Sequence, residues 1–112
     1  MKIYCDSSTR EACVVVEGHD PMIFPYFRTL TVNEGEYMAM YFALEHALAS
    51  RLQSVVVLSD SQLVVNQVNG VYRVRKPHLI LLKDAVLVLV KRVGATIKWI
   101  PREENLAGLV LE

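Results

Sequence analysis

A chain of 112 residues has room for one hydrophobic core but not two. Lysine plus arginine and aspartate plus glutamate stand at 12 each, with a pI near 6.8, which excludes a general basic field for polyanions and leaves only local clusters for that role. Hydrophobic residues reach 53% and the mean hydropathy is +0.29, yet the richest run, Leu79–Val90, is broken by Lys83 and Asp84, short of the roughly 18 apolar residues of a membrane span.

The apolar surplus suggests a buried subunit contact, and no membrane association is expected. "MKIYCD" enters strand-like sequence directly, without a charged n-region, an apolar h-region and a cleavage site, so a cytoplasmic location is expected. Cys5 and Cys13 fit no zinc spacing. They lie on segments able to pair as a hairpin and even to face one another, but a cytosolic chain keeps such thiols reduced; buried small hydrophobes is the preferred reading. No repeat or linker divides residues 1–112, so a single domain is expected, with the terminal Leu111-Glu112 having the form of a cloning scar.

In chain order, "KIYCDSS" and "EACVVVE" read as strands about a polar turn, "STRE", and "MIFPYFRTL" as a third. Pro25 cannot donate to a ladder, which assigns the third strand to an edge or bulge. The period then changes: "TVNEGEYMAMYFALEHALAS" puts Tyr37, Tyr41, Leu44 and Leu48 on one helical stripe, beside Met40 and Ala47. Thr31 with Glu34 forms a capping box that starts this helix. "SVVVLSD" is a buried strand, and "SQLVVNQVN" a short helix that Gly70 closes. A basic connector, "VYRVRK", leads to Pro77 at the start of a long helix running to Arg92, with Gly94 beyond. "VLVLV" alternates like a strand, but length and end signals favour helix. "ATIKWIP" is a last strand, and "REENLAGLV" opens a loop or a helix. The order β-β-β-α-β-α-α-β predicts an α/β (α+β) fold: a five-stranded mixed sheet with helices packed on it.

Three acids stand where chemistry is plausible. Asp6 interrupts an apolar strand, Asp60 ends one, and Glu36 lies a turn inside the first long helix. Each has an ordinary reading: Asp6 as the start of a turn, Asp60 as a helix N-cap, Glu36 as a solvated helix acid. If the first and fourth strands are adjacent, Asp6 and Asp60 meet, and a helix across the face brings Glu36 to them. Converging carboxylates repel unless a cation neutralises them. Such hard oxygen donors suit Mg²⁺ or Mn²⁺, and two such ions about 4 Å apart serve phosphodiester hydrolysis.

Element order and motifs together resemble type 1 ribonuclease H, in its compact bacterial and archaeal branch. The matching pieces are "YCDSS", "TVNEGEYMAMYFALEHAL", "LSDSQLVVNQVNG", "RVRKP" and "WIPREEN". The resemblance implies metal-dependent endonucleolytic cleavage of the RNA strand of an RNA–DNA hybrid. Asp6 would bridge two divalent ions, Mg²⁺ or Mn²⁺, with Glu36 and Asp60 completing the second. Asn33 and Gln67 would contact the sugar–phosphate backbone, including the 2′-hydroxyls that distinguish RNA, with Ser7 and Ser61 beside them on the substrate side. As bare sequence, Asn33 is equally a helix-start residue and Gln67 a solvated position. Arg73, Arg75 and Lys76 form a basic patch suited to phosphates, or a solvated connector. Trp99 is expected in the core, and His19, His46 and His78 on the surface or helices, outside the catalytic pattern.

Three departures stand out. The family pattern after the last strand, Arg-Glu-x-Asn-x-x-Ala-Asp, ends in a fourth acid, but here Leu109 or Gly108 takes its place, depending on the alignment. Loss of that acid predicts weakened turnover or a module that binds nucleic acid without cutting it; Glu103 and Glu104 are displaced candidates for a substitute, and Arg102 the nearest match to a flexible basic residue. The first hairpin is short, and the C-terminal helix is truncated, which bares apolar surface and favours a homodimer.

Overall fold

The computed structural model describes residues 1–112. Strand β1 (Lys2–Ser7) pairs antiparallel with β2 (Glu11–Val16), and β2 with β3 (Met22–Pro25). On its other side β1 pairs parallel with β4 (Val56–Ser59), and β4 with β5 (Thr96–Trp99). The mixed sheet runs β3-β2-β1-β4-β5. Pro25 ends the edge strand β3, where a missing N–H costs no ladder bond.

Helices α1 (Val32–Ala49) and α2 (Gln62–Val68) cover one face of the sheet, and α3 (Pro77–Val93) packs on them from outside. At α1 the capping box is present: Glu34 N–H donates to Thr31 Oγ1 at 3.2 Å, and Thr31 N–H donates to Glu34 Oε1 at 3.0 Å. Such a cap contributes about 1 kcal/mol. Tyr37, Met40, Leu44 and Ala47 are buried as the stripe predicts, while Tyr41 and Leu48 are only half-buried. Ala39 and Ala43 are buried as well, because α1 lies between the sheet and α3. Pro77 opens α3 and Gly94, at φ 73°, closes it in the left-handed region that glycine adopts without strain. These end signals outweigh the alternation of "VLVLV". No helix is long and apolar enough to cross a membrane.

The opposite face is covered by a 3₁₀ turn (Arg102–Glu104) and a six-residue helix, α4 (Leu106–Leu111), whose Ala107 packs on Cys13 and Val15. The loop-or-helix alternative for the tail is thus resolved as a short helix over β1 and β2. Beyond it, a groove of about 300 Å³ lined by Lys2, Tyr4, Val56, Leu58, Lys98 and Ile100 is left open.

The preferred reading of the cysteines holds, the possibility that they face one another falls, and the expectation for Trp99 is corrected. Cys5 lies opposite Val14 and Cys13 opposite Asp6, so the register is one residue off a Cys–Cys pair. With side chains alternating between faces, the thiols point to opposite sides of the sheet. Both are free and buried. Trp99, expected in the core, is 45% exposed because β5 is an edge strand.

Candidate metal centre

The alternation of β1 sends Ile3 and Cys5 into the main core and Asp6 to the other face, at the strand's carboxyl end. Asp60 follows the last residue of β4, on the strand parallel to β1, so both acids leave the sheet at the same end. Glu36 reaches them because α1 approaches β1 closely at Gly35. A Cβ on Gly35 would collide with Ser7 Oγ and lie 3.1 Å from Ser7 Cβ and 3.3 Å from the Ser8 carbonyl. Tyr26 fastens this contact, its hydroxyl 2.8 Å from Ser7 Oγ and donating to the Gly35 carbonyl at 3.2 Å. Gly35→Ala is accordingly expected to push α1 off β1 and to lower stability by about 1–3 kcal/mol, the usual cost of overpacking. Chemical denaturation measures this, and an unchanged midpoint would contradict the contact.

One carboxylate oxygen from each of Asp6, Glu36 and Asp60 lies within 4.8 Å of the others. Asp6 and Glu36 are buried and Asp60 half-buried. The ordinary reading of each acid fails. Ser61, not Asp60, caps α2, accepting from Val64 N–H at 3.3 Å. Ser8, not Asp6, organises the β1–β2 turn, its hydroxyl accepting from Arg10 and Glu11 N–H at 3.2 and 3.1 Å. Glu36 is 7% exposed, and its Oε2 is buried with no hydrogen-bond partner.

Burial, reinforced by the charges of Asp6 and Asp60, pushes Glu36 up to about 9, and burial followed by the Asp60 charge raises Asp6. Between the ordinary glutamate value of 4.5 and about 9 the metal-free folded chain therefore holds more protons than the unfolded chain. Linkage then makes stability fall as pH rises across that window. In chelator the melting temperature is expected to decline from about pH 5 to about pH 9, and millimolar Mg²⁺ or Mn²⁺ to remove most of the decline. A chelated profile flat or rising over this range would contradict the cluster's electrostatics.

A buried, unpartnered carboxylate oxygen beside two further acids fits a divalent cation. Hard oxygen donors are the set that Mg²⁺ and Mn²⁺ take.

Two residues to which the sequence assigned no part in the site, Asn105 and Trp99, support Asp60. The β1–β4 pairing stops at Tyr4 opposite Leu58, and the fully buried Asn105 bridges the strands beyond that point. Its Nδ2 donates to the Cys5 carbonyl at 3.0 Å and to Asp60 Oδ2 at 3.2 Å, while its Oδ1 accepts from Ala107 N–H at 3.2 Å. Trp99 Nε1 donates to the Asp60 carbonyl at 3.1 Å. Asn105 could have been read as the cap of α4, but its bond to Cys5 spans 100 residues of chain and has no local signal.

The family model described as reverse transcriptase-like matches residues 9–109. Among solved structures the chain is similar to RNase H1 of Halobacterium salinarum NRC-1, with 25% identity and a TM-score of 0.85, over 98% of this chain and 92% of that one. It is similar to the N-terminal RNase H domain of a Mycobacterium tuberculosis protein at 26% identity and TM-score 0.80, over 93% and 84%. It also matches LC11-RNase H1, crystallised in complex with an RNA/DNA hybrid, at 29% identity and TM-score 0.79, over 94% and 88%. The chain belongs to the reverse transcriptase-like family, with the fold of type 1 ribonuclease H.

The remaining residues of the ribonuclease H-like domain fall into three groups. Asn33, half-buried in the first turn of α1, makes no hydrogen bond to the protein through its side chain, and Thr31 does the capping there. Gln67 is buried, not solvated; its Oε1 accepts from Tyr37 Oη at 2.6 Å, which leaves its Nε2 without a protein partner. Ser7 and Ser61 are half-buried with hydroxyls engaged internally, Ser7 also donating to the Ser8 carbonyl at 2.6 Å. Arg73, Arg75 and Lys76 are exposed on the α2–α3 connector, anchored by buried Val74, and form no ion pair.

Gly108 and Leu109 stand differently toward the three acids. A Cβ on Gly108 would lie 3.1 Å from Asp6 Oδ2 and 3.6 Å from Asp60 Oδ2, whereas Leu109 is 48% exposed. Neither Glu103 nor Glu104 joins the cluster; both are exposed on the 3₁₀ turn, and Glu104 lines the open groove. Arg102 is near enough for its charge to lower Asp6, against the larger upward effects.

Proposed function

We propose that this domain is a divalent-metal-dependent endonuclease acting on the RNA strand of RNA–DNA hybrids. The observation that carries the reading is the convergence of Asp6, Glu36 and Asp60 at the carboxyl end of β1 and β4. The hybrid bound by the similar LC11-RNase H1 supports the substrate class. Asp6, Glu36 and Asp60 would together hold the divalent ions, Asp6 as the ligand shared between two of them and Glu36 and Asp60 completing the second. Bound Mg²⁺ or Mn²⁺ supplies an activated water and charge stabilisation for the leaving oxygen. The protein contributes position. Gly35 and Tyr26 fix Glu36, Asn105 holds Asp60 at its carboxylate, and burial of Asp6 and Glu36 strengthens their hold on a cation. Asn33 and Gln67 Nε2 present free amide groups for backbone and 2′-hydroxyl contacts, and Arg73, Arg75 and Lys76 offer unpaired cations to phosphates.

A second reading is favoured by Gly108. The position facing Asp6 and Asp60 carries no acid, so the domain would bind hybrid while cutting it weakly or not at all. One experiment separates the two. Labelled RNA–DNA hybrid is incubated with and without Mn²⁺, and binding is measured across salt in parallel. RNA fragments that require Mn²⁺ support the nuclease; salt-sensitive binding without fragments supports the impaired module; neither binding nor fragments would overturn both.

A further inference from the structure

Trp99 is the only tryptophan of the chain, and it stands at the end of β5 opposite Ser59. The residue is 45% exposed, so burial does not force its N–H to find a protein partner. The N–H nevertheless meets the carbonyl of Asp60 at 3.1 Å. The neighbours of Asp60 are held by regular structure. Ser59 is held by the sheet, its carbonyl accepting from Ile100 N–H at 3.0 Å. Ser61 is held by its cap and by N–H donation to Ser59 Oγ at 3.1 Å. Asp60 sits in the gap between strand and helix, and neither element fixes it.

Two side chains close that gap. Asn105 restrains the carboxylate and Trp99 restrains the peptide that carries it. Restraint matters because three acids converge within 4.8 Å of one another, and Asp60, the most exposed of them, is the one with room to swing outward when no cation is bound. We infer that Trp99 is a positioning residue for the metal site: its indole N–H anchors the Asp60 peptide so that the carboxylate stays aimed at Asp6 and Glu36. This rests on the proposed metal-dependent reading.

The test uses the whole chain without nucleic acid. In the wild type, Mn²⁺ is expected to quench the emission of Trp99 saturably, and Asp60→Asn to abolish that quenching. Calorimetric titration of Trp99→Phe, which keeps an aromatic ring and lacks the N–H, is expected to show Mn²⁺ affinity about tenfold weaker. Its metal-free melting temperature should stay at the wild-type value, and hybrid cleavage should show a lower kcat with an unchanged KM. Wild-type Mn²⁺ affinity in Trp99→Phe would overturn the inference, as would a weakening matched by loss of the metal-free fold, since Trp99 would then act through packing. A wild type that binds no Mn²⁺ would remove the metal-dependent reading itself, a result distinguishable from either.

Discussion

Asp60→Asn is expected to lower hybrid cleavage by about 10³-fold or more, the scale on which one member of a catalytic unit acts. The substitution changes charge with little change in shape. An amide oxygen at position 60 can still accept from Asn105 Nδ2, and the backbone bonds to Trp99 and the cap at Ser61 do not involve the carboxylate. The fold should survive, and the metal-free protein should gain stability above neutral pH. The Asp60 charge is gone, and the upward pressure it puts on Glu36 and Asp6 relaxes. Loss of cleavage, loss of Mn²⁺ binding and a higher melting temperature in chelator form a joint signature that simple unfolding cannot produce. Cleavage at the wild-type rate would place the chemistry elsewhere.

The parts of this domain readable from sequence are those written in local chemistry. Thr31 with Glu34, Pro77 and Gly94 mark helix ends through groups within a few residues, and they lie where those signals put them. The three acids were legible as a set on the supposition that β1 and β4 are adjacent, and the parallel pairing of those strands meets it. What stayed hidden depends on approach distances and phase. Gly35 looks like any helix glycine until α1 is laid against Ser7. A one-residue register turns Cys5 and Cys13 to opposite faces, and the edge position of β5 exposes Trp99. In α4, a step of one residue rotates a side chain by about 100°, and that rotation alone distinguishes Gly108, against the acids, from exposed Leu109.

That distinction sets the second large effect. Gly108→Asp is expected to raise metal-dependent cleavage about 10- to 100-fold, in step with tighter Mn²⁺ binding, and Leu109→Asp to leave both unchanged. The new Cβ would lie 3.1 Å from Asp6 Oδ2, so that carboxylate must shift by a few tenths of an ångström. Asp6 is next to last in β1 and its backbone stays paired with Cys13, so the adjustment falls on rotation of its side chain. The cost falls on the metal-free state. A fourth carboxylate in the cluster raises the repulsion already evident at Glu36, so the chelated protein should melt lower and recover on adding Mn²⁺. An increase in cleavage would mean that the ligands at Asp6, Glu36 and Asp60 are already poised and that glycine at 108 limits turnover. Tighter Mn²⁺ binding without faster cleavage would instead move the limit from the metal site to the substrate side, where the turn between β1 and β2 is only Ser8–Arg10.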